Sequence, residues 1–175
     1  MRDNVQTQQP KTKNWFWIGV QISCLLGLIY IFSSPIPFVR GSSMAPRIHD
    51  GDRIFIDHFY YWFHEVGRDD VIVFDHPLFP WLSCIKRVIG VPGDEVVLEN
   101  GHVWVNGEEL KEPYVDTPDY SARMSTIVPP GRFFVLGDHR LRSDDSCDFG
   151  FVPSGYIEGK VRFQIWPPAR MGTID

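Results

Sequence analysis

Hydrophobic and polar positions divide the chain into two unlike parts. Residues 15–32 read WFWIGVQISCLLGLIYIF, an uncharged apolar run in which Gln21 and Ser23 are the only clearly polar members. As a helix at about 1.5 Å per residue this run is about 27 Å long, close to the thickness of a bilayer's hydrocarbon core. Pro35 and Pro37 end it. A cleavable leader normally has a shorter apolar stretch followed by a small-x-small cut site, so the run is read as an uncleaved anchor. Arg2, Lys11 and Lys13 precede it, and positive flanks stay in the cytoplasm. The expected organisation is a cytoplasmic N-terminus at 1–14, a transmembrane anchor at 15–32 and an exported domain at 33–175.

The exported part shows strand-length apolar runs instead. These are Arg53 to Asp57, Val71 to Phe74, Cys84 to Gly90, Glu95 to Leu98, His102 to Val105, Arg132 to Leu136 and Gly159 to Trp166. Gly, Pro, Asn and Asp punctuate them, and Asn100-Gly101 predicts a hairpin between the fourth and fifth runs. Many short strands at such spacing predict a mainly β, antiparallel sandwich or barrel. No segment beyond the anchor keeps a helical period. Residues 111–131, with Pro113, Pro118, Pro129 and Pro130, read as a long surface excursion. Phe59 to Phe63 is an unbroken aromatic run. Strand side chains alternate, so some of these rings must face outward, where Tyr and Trp suit a membrane interface. Phe79-Pro80-Trp81 could extend that surface.

The net charge of −5 over 175 residues, with no long basic run, argues against nucleic acid as a partner. Cys24, Cys84 and Cys147 lack ligand spacing for zinc, so no metal site is expected. The candidate chemistry is a serine with a lysine. A serine hydroxyl needs a base within hydrogen-bond reach, and a lysine serves when burial disfavours its charged form. Lys86 stands in an apolar run, where alternation puts it on one face with Cys84 and Val88, and Arg87 on the other with Ile85 and Ile89. A lysine snorkelling from a sheet edge fits the same spacing.

Three boxes in order add to that reading. Residues 38–46, Phe-Val-Arg-Gly-Ser-Ser-Met-Ala-Pro, resemble the Gly-x-Ser-Met-x-Pro box of type I signal peptidases, with Asp50-Gly51-Asp52 like the turn that follows. Lys86-Arg87-Val88-Ile89-Gly90-Val91-Pro92-Gly93-Asp94 resembles that family's lysine box, and residues 137–146 its Gly-Asp-Asn-Arg-x-x-Ser-x-Asp-Ser box. Phe163 to Pro167 looks like its closing strand.

The resemblance implies a signal-peptidase-type antiparallel β domain behind one N-terminal transmembrane helix, presenting an apolar surface to the lipid bilayer. It implies Ser43, beside Met44, as nucleophile in preference to Ser42, and Lys86 as general base. Ser143 would orient the lysine, Asp145 would be a structural acid near the site, and Asp138 with Arg87 a supporting charged pair. The implied function is removal of signal peptides from exported preproteins after small residues at −1 and −3. No cofactor or metal is implied. The location would be the cell membrane, single-pass, with the catalytic domain outside.

Some positions depart from the pattern. Gly41 stands where some members carry an oxyanion-hole serine, His139 where Asn is usual, and Cys147 where Arg is frequent. The last removes an arginine partner for Asp145, which Arg140 or Arg142 could replace. Because Cys84 is two residues before Lys86 and Cys147 four after Ser143, which should touch Lys86, a disulfide between them is expected, with free thiols the alternative that the spacing alone favours slightly. Other readings are a specialised pilin, conjugation or organellar processing peptidase, a catalytically silent membrane-anchored assembly module, a Ser–His139 dyad, or a self-cleaving repressor-type protein. The intact Ser and Lys boxes disfavour the silent module and the histidine dyad. The apolar N-terminal run occupies the place where a repressor's DNA-binding segment would sit.

Overall fold

A computed structural model describes residues 14–33 and 37–174, with the side chains of 14 and 29–33 outside the described set. The chain divides into two compact units, Met1–Pro35 and Ile36–Asp175. The first holds helix α1 (Asn14–Ser33), apolar all round with no charge in its first or last turn. Among the described residues no helix is long and apolar enough to cross a membrane. Side chains of the expected 15–32 span are described only from 15 to 28. The expected cytoplasmic tail before Asn14 lies outside the described residues.

The second unit is mainly antiparallel β, as the pattern predicts. Its larger sheet has seven strands: β1 (Arg53–Asp57), β2 (Val71–Asp75), β3 (Ser83–Gly90), β8 (Arg132–Leu136), β9 (Val152–Pro153), β10 (Ile157–Trp166) and β11 (Gly172–Thr173). The order is β1-β10-β2-β3-β8-β9, with β11 also on β10. A second sheet carries β4 (Glu95–Glu99), β5 (His102–Val105), β6 (Glu108–Glu109) and β7 (Met124–Ile127) in the order β6-β5-β4-β7. Strand β2 lies between β10 and β3 and is buried from Val71 to Phe74, which is why it is a continuous apolar run rather than an alternating one. The β4–β5 hairpin turns at Asn100 and Gly101, whose φ of 53° and 81° suit a primed turn. Asn106 and Gly107 repeat that geometry between β5 and β6.

The 111–131 excursion contains β7, which pairs with β4 from Glu95↔Ile127 to Leu98↔Met124. Its Met-Ser-Thr-Ile sequence buries little by itself, so composition hides it. One short helix, α2 (Ser146–Phe149), follows β8, capped by Asp145 and by the reciprocal Asp148 side chain. The aromatic run 59–63 forms a short 3₁₀ turn: Tyr61 packs on the core, while Phe59, Trp62 and Phe63 are exposed. Leu78, Phe79, Trp81 and Leu82 are exposed too.

Candidate active site

Ser43 sits in the loop before β1. Val39 N–H donates to Asp52 C=O at 2.7 Å and Gly51 N–H to Val39 C=O at 2.9 Å, closing the loop at its base. Buried Asp52 accepts from His49 N–H, from Gln164 Nε2 at 2.6 Å and from Arg170. Met44 is sealed in the core with Ile48, Ile54 and Val73, so its neighbour Ser43 is anchored from below. Gly41 takes φ 95°, a conformation that favours glycine, and its N–H donates to Asp50 Oδ1 at 2.7 Å. A Cβ there would meet nothing, so position 41 is open space.

Lys86 projects from the middle of β3, opposite Ile72 of β2. It is 4% exposed, and its Nζ donates to Ser43 Oγ at 2.8 Å. Burial lowers its pKa from the ordinary lysine value, opposed by the nearby Cys84, Asp145, Asp144 and Asp138. The ammonium form is thereby disfavoured at the atom that touches the serine. The sheet-edge alternative does not hold: β3 is interior, between β2 and β8.

The third element is the segment after β8. His139 N–H donates to Ser43 C=O at 2.9 Å, which ties that segment to the serine through the backbone. The ring Nδ1 of His139 is buried without a partner, and among the described residues the ring makes no hydrogen bond to Ser43. Gly137 is obligatory at this junction. A Cβ there would lie 2.2 Å from Ser143 Oγ and 2.6 Å from Ser43 C=O.

Ser143 therefore packs against Gly137 close to the Ser43 backbone. Among the described residues its Oγ is buried without a partner in hydrogen-bond geometry, although the hydroxyl lies near enough to Asp145 to favour that carboxylate. The expected bond from Ser143 to Lys86 is not made among the described residues, and the Lys86 Nζ donates to Ser43. Asp145 caps α2 and accepts from Gly137 N–H at 3.2 Å and Cys147 N–H at 3.1 Å. Burial raises its pKa, opposed by the Ser143 hydroxyl, these two N–H donors and the nearby Lys86. Backbone groups thus take the place of the missing arginine. Arg140 pairs instead with Glu112 from the long excursion and donates to Gly137 C=O, and among the described residues Arg142 forms no ion pair with Asp145.

Arg87 and Asp138 form a fully buried pair, with Nε–Oδ1 and Nη2–Oδ2 both at 2.9 Å. Arg87 also donates to Asp69 C=O at 3.0 Å and lies 3.9 Å from the centre of the Tyr114 ring. Planar two-point pairing of this kind fixes orientation as well as charge. It binds the lysine strand to the 137–146 segment. Tyr114 and Glu112 were not anticipated; both stand in the excursion, where no local pattern marks them.

A cleft of about 490 Å³ opens over Ser43 and Lys86. Apolar Val39, Ile54, Ile56 and Ile85 line it, with Arg142 and Asp144 at its polar side. The expected disulfide is not formed: Cys84 and Cys147 are both free. Cys84 faces this cleft, whereas the α2 turn carries Cys147 to a separate cavity beside His102 and Asp119.

The sequence matches the family described as signal peptidase, peptidase S26, over residues 12–166. It is 35% identical to a signal peptidase I of Bacillus caldolyticus over 91% of this chain and 93% of that one. It is 32% identical to signal peptidase IB of Staphylococcus aureus over 86% and 88%. A solved signal peptidase I from Enterococcus faecalis V583 aligns with a TM-score of 0.50 at 33% identity, over 55% of this chain and 97% of that chain.

Proposed function

The chain belongs to the signal peptidase family of S26 peptidases and is a serine endopeptidase, and we propose that it removes signal peptides with a Ser43–Lys86 dyad. The observation that carries the dyad is the 2.8 Å contact between Ser43 Oγ and the buried Lys86 Nζ.

Neutral Lys86 takes the Ser43 proton as Oγ attacks the scissile carbonyl. Among the described residues the Ser43 N–H is engaged in no hydrogen bond, which leaves it available to the oxyanion. Gly41 offers no hydroxyl, so backbone donors have to serve. Protonated Lys86 then gives its proton to the leaving amine, and the same lysine activates the water that releases the acyl-enzyme. Ser143, Asp145 and the Arg87–Asp138 pair hold the segments that carry these groups. No cofactor takes part in these steps. The apolar cleft suits an extended, apolar substrate end with small residues at −1 and −3.

The apolar run 15–32, whose side chains are described only from 15 to 28, would anchor the enzyme in the cell membrane as a single pass, with its N-terminus in the cytoplasm and the β domain outside. The exposed Phe59, Trp62, Phe63 and Trp81 side chains would rest at the lipid surface.

The test is cleavage of a preprotein bearing an Ala-x-Ala site by the detergent-solubilised full chain. Wild type should cut after the alanine, and Ser43→Ala and Lys86→Ala should each lose at least about a thousandfold in kcat, the scale on which catalytic dyad groups act. An active Lys86→Ala together with an inactive His139→Ala would refute the assignment of the base.

A further inference from the structure

We propose that His76 is a positioning residue for the reaction, holding the Asp144 carboxylate at the polar side of the cleft where it faces the Ser43–Lys86 pair. The inference rests on the dyad reading above.

His76 follows β2 and is 1% exposed, an unusual place for a polar ring. The ring is held on two sides: it stacks on Phe79 at 5.2 Å between centroids and meets Phe149 of α2 edge-on at 4.7 Å. Its Nδ1 accepts the Leu78 N–H at 3.2 Å. With that nitrogen an acceptor, the proton of the neutral ring belongs on Nε2. Nε2 is buried and makes no hydrogen bond among the described residues, and the polar group it faces is Asp144, whose Oδ2 lies 3.4 Å away. A buried N–H without another partner has a strong reason to keep that carboxylate near.

Asp144 is otherwise a solvent-exposed side chain on a segment that matters. It stands between Ser143 and Asp145 and lines the cleft with Ser43, Cys84 and Lys86. The charged and titratable groups that bear on Lys86 are Cys84 on its own strand and Asp138, Asp144 and Asp145 on the segment after β8, while Arg40, Arg142 and Glu158 also line the cleft. Asp138 is committed to Arg87 and Asp145 to the α2 cap. Asp144 alone of the three carboxylates has no partner but His76 among the described residues. Its negative charge favours the ammonium form of Lys86 and so opposes burial. Holding it in place sets how far toward acid pH the lysine remains available as a base. His76 also sits at the root of the exposed Leu78–Leu82 loop, so the same ring links that surface to the cleft.

The experiment uses the full chain in detergent, with Asp144→Asn, His76→Phe and the double variant. Phenylalanine keeps the contacts with Phe79 and Phe149 and removes the N–H. Asp144→Asn changes an exposed side chain and provides a folded variant independent of the buried site. Two readouts are taken: the Lys86 titration by ¹³C NMR at Cε, assigned with Lys86→Met, and the pH profile of kcat/KM on an Ala-x-Ala peptide. Each single variant should move the titration and the acid limb toward lower pH by roughly half a unit, about threefold in neutral amine at a fixed pH on the limb. The double variant should move no further than Asp144→Asn, and His76→Phe should leave KM within about twofold. A Lys86 titration unmoved in both single variants, or additive shifts in the double, overturns the proposal whether or not the peptide is cut. A titration that responds as stated in a wild type that cuts nothing supports the pair and sinks the peptidase reading alone.

Discussion

Gly137→Ala is the sharpest test of how the site is held together. The new Cβ would lie 2.2 Å from Ser143 Oγ, 2.5 Å from Ser143 Cβ and 2.6 Å from the Ser43 carbonyl oxygen, against an ordinary contact that begins near 3.4 Å. The serine hydroxyl can rotate away, but Ser143 Cβ is fixed to the backbone and must itself shift by about 0.9 Å to reach ordinary contact. The Ser43 carbonyl is backbone and accepts the His139 N–H at 2.9 Å, so relief requires that the two segments part by about 0.8 Å. Ser43 Oγ must then leave its 2.8 Å contact with Lys86, because β3 is fixed between β2 and β8. A misplacement near 1 Å costs on the order of 100-fold in rate, or about 2.7 kcal/mol of barrier. We expect Gly137→Ala to lose about 100-fold in kcat on an Ala-x-Ala peptide with KM within about threefold, and to stay folded by thermal unfolding. Gly155→Ala is the control, since a Cβ there meets nothing within 4 Å. A Gly137→Ala enzyme that keeps more than about a third of wild-type kcat would show that Ser43 and the 137–146 segment are not coupled through this contact.

Four further outcomes are expected. Because burial lowers the pKa of Lys86, kcat/KM should rise with pH along a limb below that of an ordinary lysine, about 10.4; a limb at or above that value contradicts a buried neutral base. The same linkage makes the buried amine a cost at neutral pH, since the unfolded chain binds the proton more tightly. Lys86→Met should therefore resist urea better than wild type at pH 7, with the difference closing as pH nears about 10.4. Asp138→Ala strands the fully buried Arg87 guanidinium and should cost about 3–5 kcal/mol in denaturant unfolding, while pairing it with Arg87→Met should restore most of that; a loss under about 1 kcal/mol would mean that Asp69 and Tyr114 suffice to hold the arginine. Thiol labelling of the denatured, unreduced chain should count all three cysteines; a count of one would restore the Cys84–Cys147 bond.

The main strands were legible because they bury a face, and burial writes itself into sequence as alternation or as a continuous apolar run. β2 and β3 are the clearest examples. The hairpin at Asn100-Gly101 was legible because its positive φ values admit few residues. β6, β9 and β11 are two residues each and β7 is half polar; they exist because a neighbouring strand offers unpaired backbone, and no local pattern records that. α2 is a single turn whose signal is a cap, Asp145 with Asp148, rather than a period.

The site divides along the same line. Ser43, Lys86, Arg87 and Asp138 could be named because short boxes surround them, and the fold brings all four into contact as two pairs. What failed depended on direction at the end of a side chain. The disulfide expectation treated closeness along the chain as closeness in space, but Asp145 starts a helical turn at Ser146 and sends Cys147 to the far side of the segment. The Ser143–Lys86 bond is likewise not made among the described residues: Lys86 Nζ reaches Ser43, and Ser143 packs into the gap that Gly137 leaves. Glu112 and Tyr114 were unreadable for the opposite reason: their partners Arg140 and Arg87 lie in other boxes, and only the folded excursion carries them there. A dyad of two residues is thus legible in a short motif, whereas the shell that orients it is spread over segments that meet only through topology. The network Glu112–Arg140–Gly137 reaches the serine through one glycine, so a substitution in the excursion, far from Ser43 in sequence, bears on the same carbonyl that Gly137 protects.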